Sequence, residues 1–221
     1  MLTKDYIMRM IDTLVRVIER LLELKRGNNT EEGFLEIDRV TREFFGFDRK
    51  FIDSMSDAQL IKMISNSEVL LAPNCYLLGV LFKEESDLYK LQNNNEKSLE
   101  MNERSLYFFV EGLKNNNVLI EADHLKNVDA VVERLIDKEI NIDTEECLFF
   151  YYEFKGKFDE AENLIFDLID YDSKYLNDGI KFYERLLEKP DEVLEKGNLP
   201  RNEVLESLEH LRERMNSLKE N

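Results

Sequence analysis

Two histidines, two cysteines and 47 acidic side chains hold whatever chemistry this 221-residue chain could perform. The segment "EADH", residues 121–124, sets Glu121 and His124 three apart, on one helix face, as in di-iron carboxylate bundles. Such a centre needs a second Glu-x-x-His pair and two further inward-facing glutamates. The other histidine, His210, ends "ESLEH" and has a serine three residues before it, so the second half-site is missing. Metal binding requires a full ligand set. Glu121 and His124 therefore read as an acidic helix start with a solvated histidine, and no metal ligand is expected. Residues 159–172, "DEAENLIFDLIDYD", are also rich in carboxylates. Asp159 and Glu160 suit the positive end of a helix dipole. Asp167, Asp170 and Asp172 do not, and are expected to form an acidic patch or to pair with Lys174 and Lys181. The DxDxDG spacing of a calcium loop is absent.

Nucleophilic chemistry finds little support. Cys75 and Cys147 lie in the apolar runs "NCYLLGVLF" and "ECLFFYYEF", where a buried, reduced thiol is expected and a thiolate is not. No glycine-rich phosphate loop, GxSxG elbow or HExxH helix occurs. The expectation is a protein without catalytic residues or cofactor. A carboxylate enzyme built from distant Asp and Glu side chains is the least favoured reading.

Charge narrows the partners. Residues 1 to 66 carry 12 acidic and 11 basic side chains, whereas residues 67 to 221 carry 35 and 19, for a total of −17. The acidic part repels phosphate backbones and the balanced part has no basic patch, so nucleic acid is not an expected partner. A basic protein or peptide is allowed electrostatically. The longest uncharged run, "VLLAPNCYLLGVLF", is too short to span a bilayer and contains a proline. The N-terminal residues lack a secretory core, and two cysteines without a framework suit a reducing, cytoplasmic setting.

Helices must position these residues. Glycine and proline are scarce, 8 and 3, and no run of alternating β-branched residues appears, so the fold class is all-α. Residues 3–26 form one long helix with Ile7, Ile11, Leu14, Ile18 and Leu21 on a stripe widened by Met10, Val17 and Leu24. A stripe of this length packs on neighbouring helices or on a copy of itself, making a homodimer the second reading. A helix follows from Thr30 to about Phe45, stopped by Gly46. Ser56 and Gln59 form a capping box for another. These helices make an N-terminal bundle, residues 1–66. Further helices are predicted at about 73–92, 95–114, 121–139, 143–155, 158–172, 174–189 and 200–218, with Asp143 and Glu146 as a second capping box. Gly197 closes a short helix between Pro190 and Pro200.

One segment is more specific. "LFFYYEFKGKFDEAENLIFDLIDYD" resembles a tetratricopeptide repeat, two antiparallel helices joined at a glycine turn. Leu148 and Tyr152 match the family's first helix, Gly156 the turn, Phe158 the aromatic after it, and Ala161 the small residue where the helices cross. Phe149, Leu168 and Ser173 depart from the pattern. "LLGVLF", with Leu78, Gly79 and Phe82, is a weaker match. The resemblance implies an irregular tetratricopeptide-like array over residues 67–221. The whole chain also resembles an uncharacterised bacterial family with such a C-terminal half. In the repeat family alternate first-helix residues line a peptide groove, which implies Glu146, Phe150, Glu153 and Phe154 here, with Tyr76 and Lys83 from the weaker unit. The first functional reading is a protein- or peptide-binding scaffold. The alternatives are a homo-oligomer assembled through the first helix and a peptide-sensing regulator.

Overall fold

The computed structural model describes residues 2–65, 68–115 and 122–219. Among the described residues there are twelve α-helices, a short 3-10 turn and no strand, so the chain is all-α. It divides into two compact units, Met1–Glu139 and Ile140–Asn221. The first holds α1 (Leu2–Arg26), α2 (Thr30–Phe45), α3 (Arg49–Asp53), α4 (Asp57–Ile64), α5 (Glu68–Leu91), α6 (Asn95–Asn115) and α7 (Ala122–Leu135). The second holds α8 (Ile142–Lys155), α9 (Phe158–Tyr171), the 3-10 turn (Ser173–Tyr175), α10 (Leu176–Leu187), α11 (Asp191–Lys196) and α12 (Arg201–Lys219).

The contact division at 139/140 does not follow the shift in composition at residue 67. The reason is α5, which packs on α1, α2, α4 and α6. Ile52, Leu60 and Ile64 from before residue 67 share one core with Cys75, Leu78, Phe82, Met101 and Phe108 from after it. Burial reaches almost every residue of α5 from Leu71 to Tyr89, so this helix is the axis of the unit. Gly79 makes its pairing with α6 close. A Cβ there would stand 2.6 Å from the Phe109 ring, and the Gly79 carbonyl accepts from Ser105 Oγ at 2.6 Å.

Local signals place most helix ends. Gly46 adopts φ +78° and its N–H donates to the Arg42 carbonyl, stopping α2 as expected. Ser56 and Gln59 form the predicted capping box of α4. Other ends differ. α5 begins at Glu68 rather than near 73, so Pro73, its sixth residue, lies inside the helix and leaves one i→i−4 backbone bond unmade. α7 stops at Leu135, ahead of Asp137 at φ +60°. α8 is capped by Asn141, whose side chain accepts from Thr144 N, and not by Asp143. α9 has no side-chain cap. Its first amides, Phe158 N and Asp159 N, instead donate to the Gly197 carbonyl at 3.1 and 3.2 Å.

The second unit has its own core, including Phe158, Ala161, Ile165, Leu168, Phe182, Tyr183 and Leu208. Its first two helices form a hairpin. Gly156, at φ +73°, ends α8 and the chain reverses over two residues into α9.

Candidate functional site

The carboxyl half of α5 carries "KEESD", residues 83–87, into the interior of the first unit. Each polar group there finds a partner, as burial requires. Lys25 of α1 reaches Glu84 Oε2 at 2.7 Å and Asp87 Oδ2 at 2.8 Å. Lys83 pairs with Glu84 at 2.9 Å and Arg134 of α7 with Asp87 at 3.0 Å. Ser86 Oγ meets the Ser98 carbonyl at 2.9 Å. Burial works against the Lys25 charge, yet the two carboxylates raise its pKa above the ordinary value. Asp87 is also opposed by burial, but Lys25 and Arg134 hold its pKa below the usual range.

Glu85 faces the other side of the layer. Its carboxylate bonds Arg49 Nε, and Arg49 Nη2 bonds the Tyr89 hydroxyl. The Arg49 guanidinium lies 4.3 Å from the Phe34 ring centroid, within cation–π range. Burial pushes the Glu85 carboxyl up to about 7, and Arg49 offsets part of that rise. Beside this cluster a cleft of about 500 Å³ opens between α2 and α3. Phe34 and Leu35 give it an apolar floor, and Leu35 is 67% exposed. Glu31 and Asp53 stand on its rim with Arg42 and Lys50. Asp38 and Asp48 are occupied within the wall: Asp38 accepts from Arg49 N at 2.8 Å and Asp48 from Phe51 N at 2.9 Å.

A family model described as a family of unknown function, DUF6483, matches residues 1–216. The chain belongs to this family. The match runs through both compact units, so the charged layer, the cleft and the α8–α9 hairpin all lie within it. No curated protein and no solved structure matches this DUF6483 member.

In this family member the six residues implied by the repeat resemblance fall in two places. Glu146, Phe150, Glu153 and Phe154 share one face of α8. That face is engaged within the second unit. Glu146 accepts from the Tyr175 hydroxyl, and Glu153 holds Arg185 in a fork at 2.7 and 2.6 Å. The Phe150 and Phe154 rings stack at 6.4 Å. Tyr76 and Lys83 lie instead inside the first unit. Tyr76 is buried against Phe109 and accepts from Asn127 Nδ2 at 2.8 Å, and Lys83 belongs to the charged layer. The cause is α5, which is covered all round rather than on one side.

Both cysteines are buried and neither is in a disulfide. Burial raises the Cys75 thiol to about 12, far from a thiolate at neutral pH. Among the described residues no group of three or more His, Cys, Asp or Glu is placed to hold a metal ion. Of "EADH", Glu121 and the His124 side chain lie outside the described residues. No described helix is long and apolar enough to cross a membrane.

Arg49 and Glu85 were not singled out by sequence, and Phe34 was expected only on the apolar face of α2, with Ile37, Val40, Thr41 and Phe44. α3 is only five residues long, and its signal is the N-cap Asp48. The signal for Glu84, Glu85 and Asp87 is their position directly after a helix segment that is apolar on every face.

Proposed function

We propose that this protein is a non-catalytic helical scaffold that binds a peptide or protein segment in the α2–α3 cleft. The observation that carries this reading is the floor of exposed Leu35 and half-buried Phe34 beside the rim carboxylates Glu31 and Asp53. An apolar floor with a few fixed polar groups is the usual make-up of a recognition pocket. Arg49 bonds Glu85 and Asp38 pairs with Arg42 at 2.9 Å, so Glu31, Asp53 and Lys50 are the charges that face a ligand, with Asp53 also 3.8 Å from Arg104. The segment that fits presents an apolar side chain next to a lysine or arginine. The second unit we read as tetratricopeptide-like, supported by the Gly156 turn, the buried Phe158 and Ala161, and the close α8–α9 packing. Two buried thiols outside any disulfide support a reducing, cytoplasmic location.

An array of basic–apolar peptides tests the cleft. Wild-type protein is expected to bind a subset, and Leu35→Asp and Asp53→Lys are each expected to weaken that binding about tenfold or more. Both side chains are substantially exposed, but Asp53 also lies 3.8 Å from the Arg104 guanidinium, so the helical spectrum of each variant is compared with wild type. Absence of binding to the array, or binding indifferent to Leu35→Asp, would sink the proposal.

A further inference from the structure

A second cavity, of about 460 Å³, lies where α1, α2, α4 and α5 meet, and it shares no lining residue with the α2–α3 cleft. Local sequence builds most of its wall. α2 ends in two phenylalanines and stops at Gly46, whose φ of +78° turns the chain. Phe47 then lies against Phe45, their rings stacked at 5.9 Å. Phe44 meets Tyr6 of α1 edge-on, with ring centroids 6.0 Å apart. Ile64 at the end of α4 and Asn74 of α5 close the wall. The four rings are half-buried, and a flat apolar group in the cavity gives them the stacked and edge-on contacts that aromatic rings favour. Although 35% of the chain is charged, no residue lining the cavity is. An ion entering it would lose its hydration and meet no counter-charge in the wall.

Asn74 and Tyr6 supply the hydrogen-bonding side chains of the wall. Asn74 is only 7% exposed. Its Nδ2 donates to the Ile64 carbonyl at 3.1 Å, and its Oδ1 accepts from the Tyr6 hydroxyl at 3.3 Å. The Ile64 carbonyl accepts and never donates, which fixes the way the amide points. The amide oxygen in turn makes Tyr6 the donor. Two functions are left over. The second Nδ2 hydrogen has no partner among the described residues, although buried donors are normally paired. The Tyr6 oxygen, its proton committed to Asn74, keeps its lone pairs. Burial raises the Tyr6 pKa against the charge of nearby Arg9, so the phenol stays neutral. A donor beside an acceptor is the complement of a carboxamide, whose C=O accepts and whose N–H donates. A carboxylate has acceptors alone and would set one against the Tyr6 oxygen. An ammonium has donors alone and would set one against the Asn74 N–H. We propose that this cavity binds a small neutral carboxamide, its aromatic body packed among Phe44, Phe45 and Phe47 and its amide paired with Asn74 and Tyr6.

Benzamide is the probe, with benzoate, benzylammonium and ethylbenzene as its comparisons. Each is titrated into the full chain, and the carbon-labelled methyl groups of Met, Ile and Leu are followed by NMR. Benzamide is expected to bind with a Kd of about 0.1–1 mM, the range open to a ligand of its size. It should move the signals of Met63, Ile64 and Leu70, which line the cavity, and leave Leu35 of the α2–α3 cleft in place. The other three compounds should bind about fivefold more weakly or worse, because each leaves Asn74 or Tyr6 facing the wrong group or none. Tyr6→Phe keeps the ring and should weaken benzamide about threefold or more. Asn74→Leu should abolish the preference for benzamide over ethylbenzene. Should that variant fail to fold, Tyr6→Phe and the comparison in wild type still decide. No shift at about 5 mM benzamide would mean that the spare N–H is held by water alone, and would overturn the proposal. So would shifts centred on Leu35, or a comparison compound that binds as tightly as benzamide. Peptide binding in the α2–α3 cleft is measured separately, so either reading can fail without the other.

Discussion

Glu85 shows how one buried side chain makes stability depend on pH. Its side chain is 3% exposed and its carboxyl titrates at about 7 rather than 4.5. A carboxyl raised in the folded state binds its proton more tightly there than in the unfolded chain. The stability it contributes is complete below pH 4.5 and is lost as pH rises through 7. Asp87 has the opposite sign: held below 3.8, it favours the folded state above that value and loses its contribution in strong acid. Wild-type stability is therefore expected to fall by about 1–3 kcal/mol between pH 4.5 and 8 relative to Glu85→Gln. Urea titrations at several pH values measure this, and parallel curves for the two proteins would refute it. Arg49→Ala adds a second check. It leaves a buried carboxylate without its cation, which costs about 3 kcal/mol when that group is ionised. The cost should shrink below pH 6, where Glu85 is protonated.

At the scale of elements, two glycines act for different reasons. Gly46 supplies a left-handed residue at a helix end. Gly197 has φ −88° and does not, so the left-handed position falls to Asn198 at φ +55°. Gly197 is needed because Phe158 and the Gly156 carbonyl approach it. An added Cβ would lie 2.3 Å from the Phe158 ring and 2.7 Å from Gly156 O. Gly197→Ala is expected to destabilise the second unit by about 1–3 kcal/mol through overpacking and a disturbed α9 start. An equilibrium unfolding midpoint equal to wild type would contradict this. The Glu153–Arg185 fork joins α8 to α10, but the Arg185 side chain is 49% exposed. Solvent screening should limit the pair to less than about 1 kcal/mol, which a double-mutant cycle with Glu153→Gln and Arg185→Gln can read.

At the scale of the molecule, two units with separate cores hold the chain together. Their unfolding is expected to be distinguishable. The chain contains no tryptophan, so Phe47→Trp in the first unit and Phe166→Trp in the second supply clean reporters. Different urea midpoints are expected from the two probes, because each reports loss of its own core. Coincident transitions with one slope would show a single cooperative block.

Local chemistry was readable without the fold. The all-α class, the span of α2, the Gly46 stop, the Ser56–Gln59 box and the burial of both cysteines follow from side-chain propensity, backbone freedom and apolar runs. These depend on neighbours a few residues apart. Three features depended on distant parts of the chain. α1 carries more apolar residues than one inward stripe holds, and only the positions of α2 and α5 leave Met10, Leu14, Val17, Leu21 and Leu24 buried and Met8, Ile11, Val15 and Leu22 exposed. Tyr76 and Lys83 have the spacing of a groove face, and the covering of α5 on all sides puts them inside. Arg49 belongs to a five-residue helix that sequence did not reveal, and a carboxylate 36 residues away fixes its guanidinium. Pattern determines which residues can be buried. Packing determines which of them are, and burial in turn decides where a charge is costly enough to need a partner.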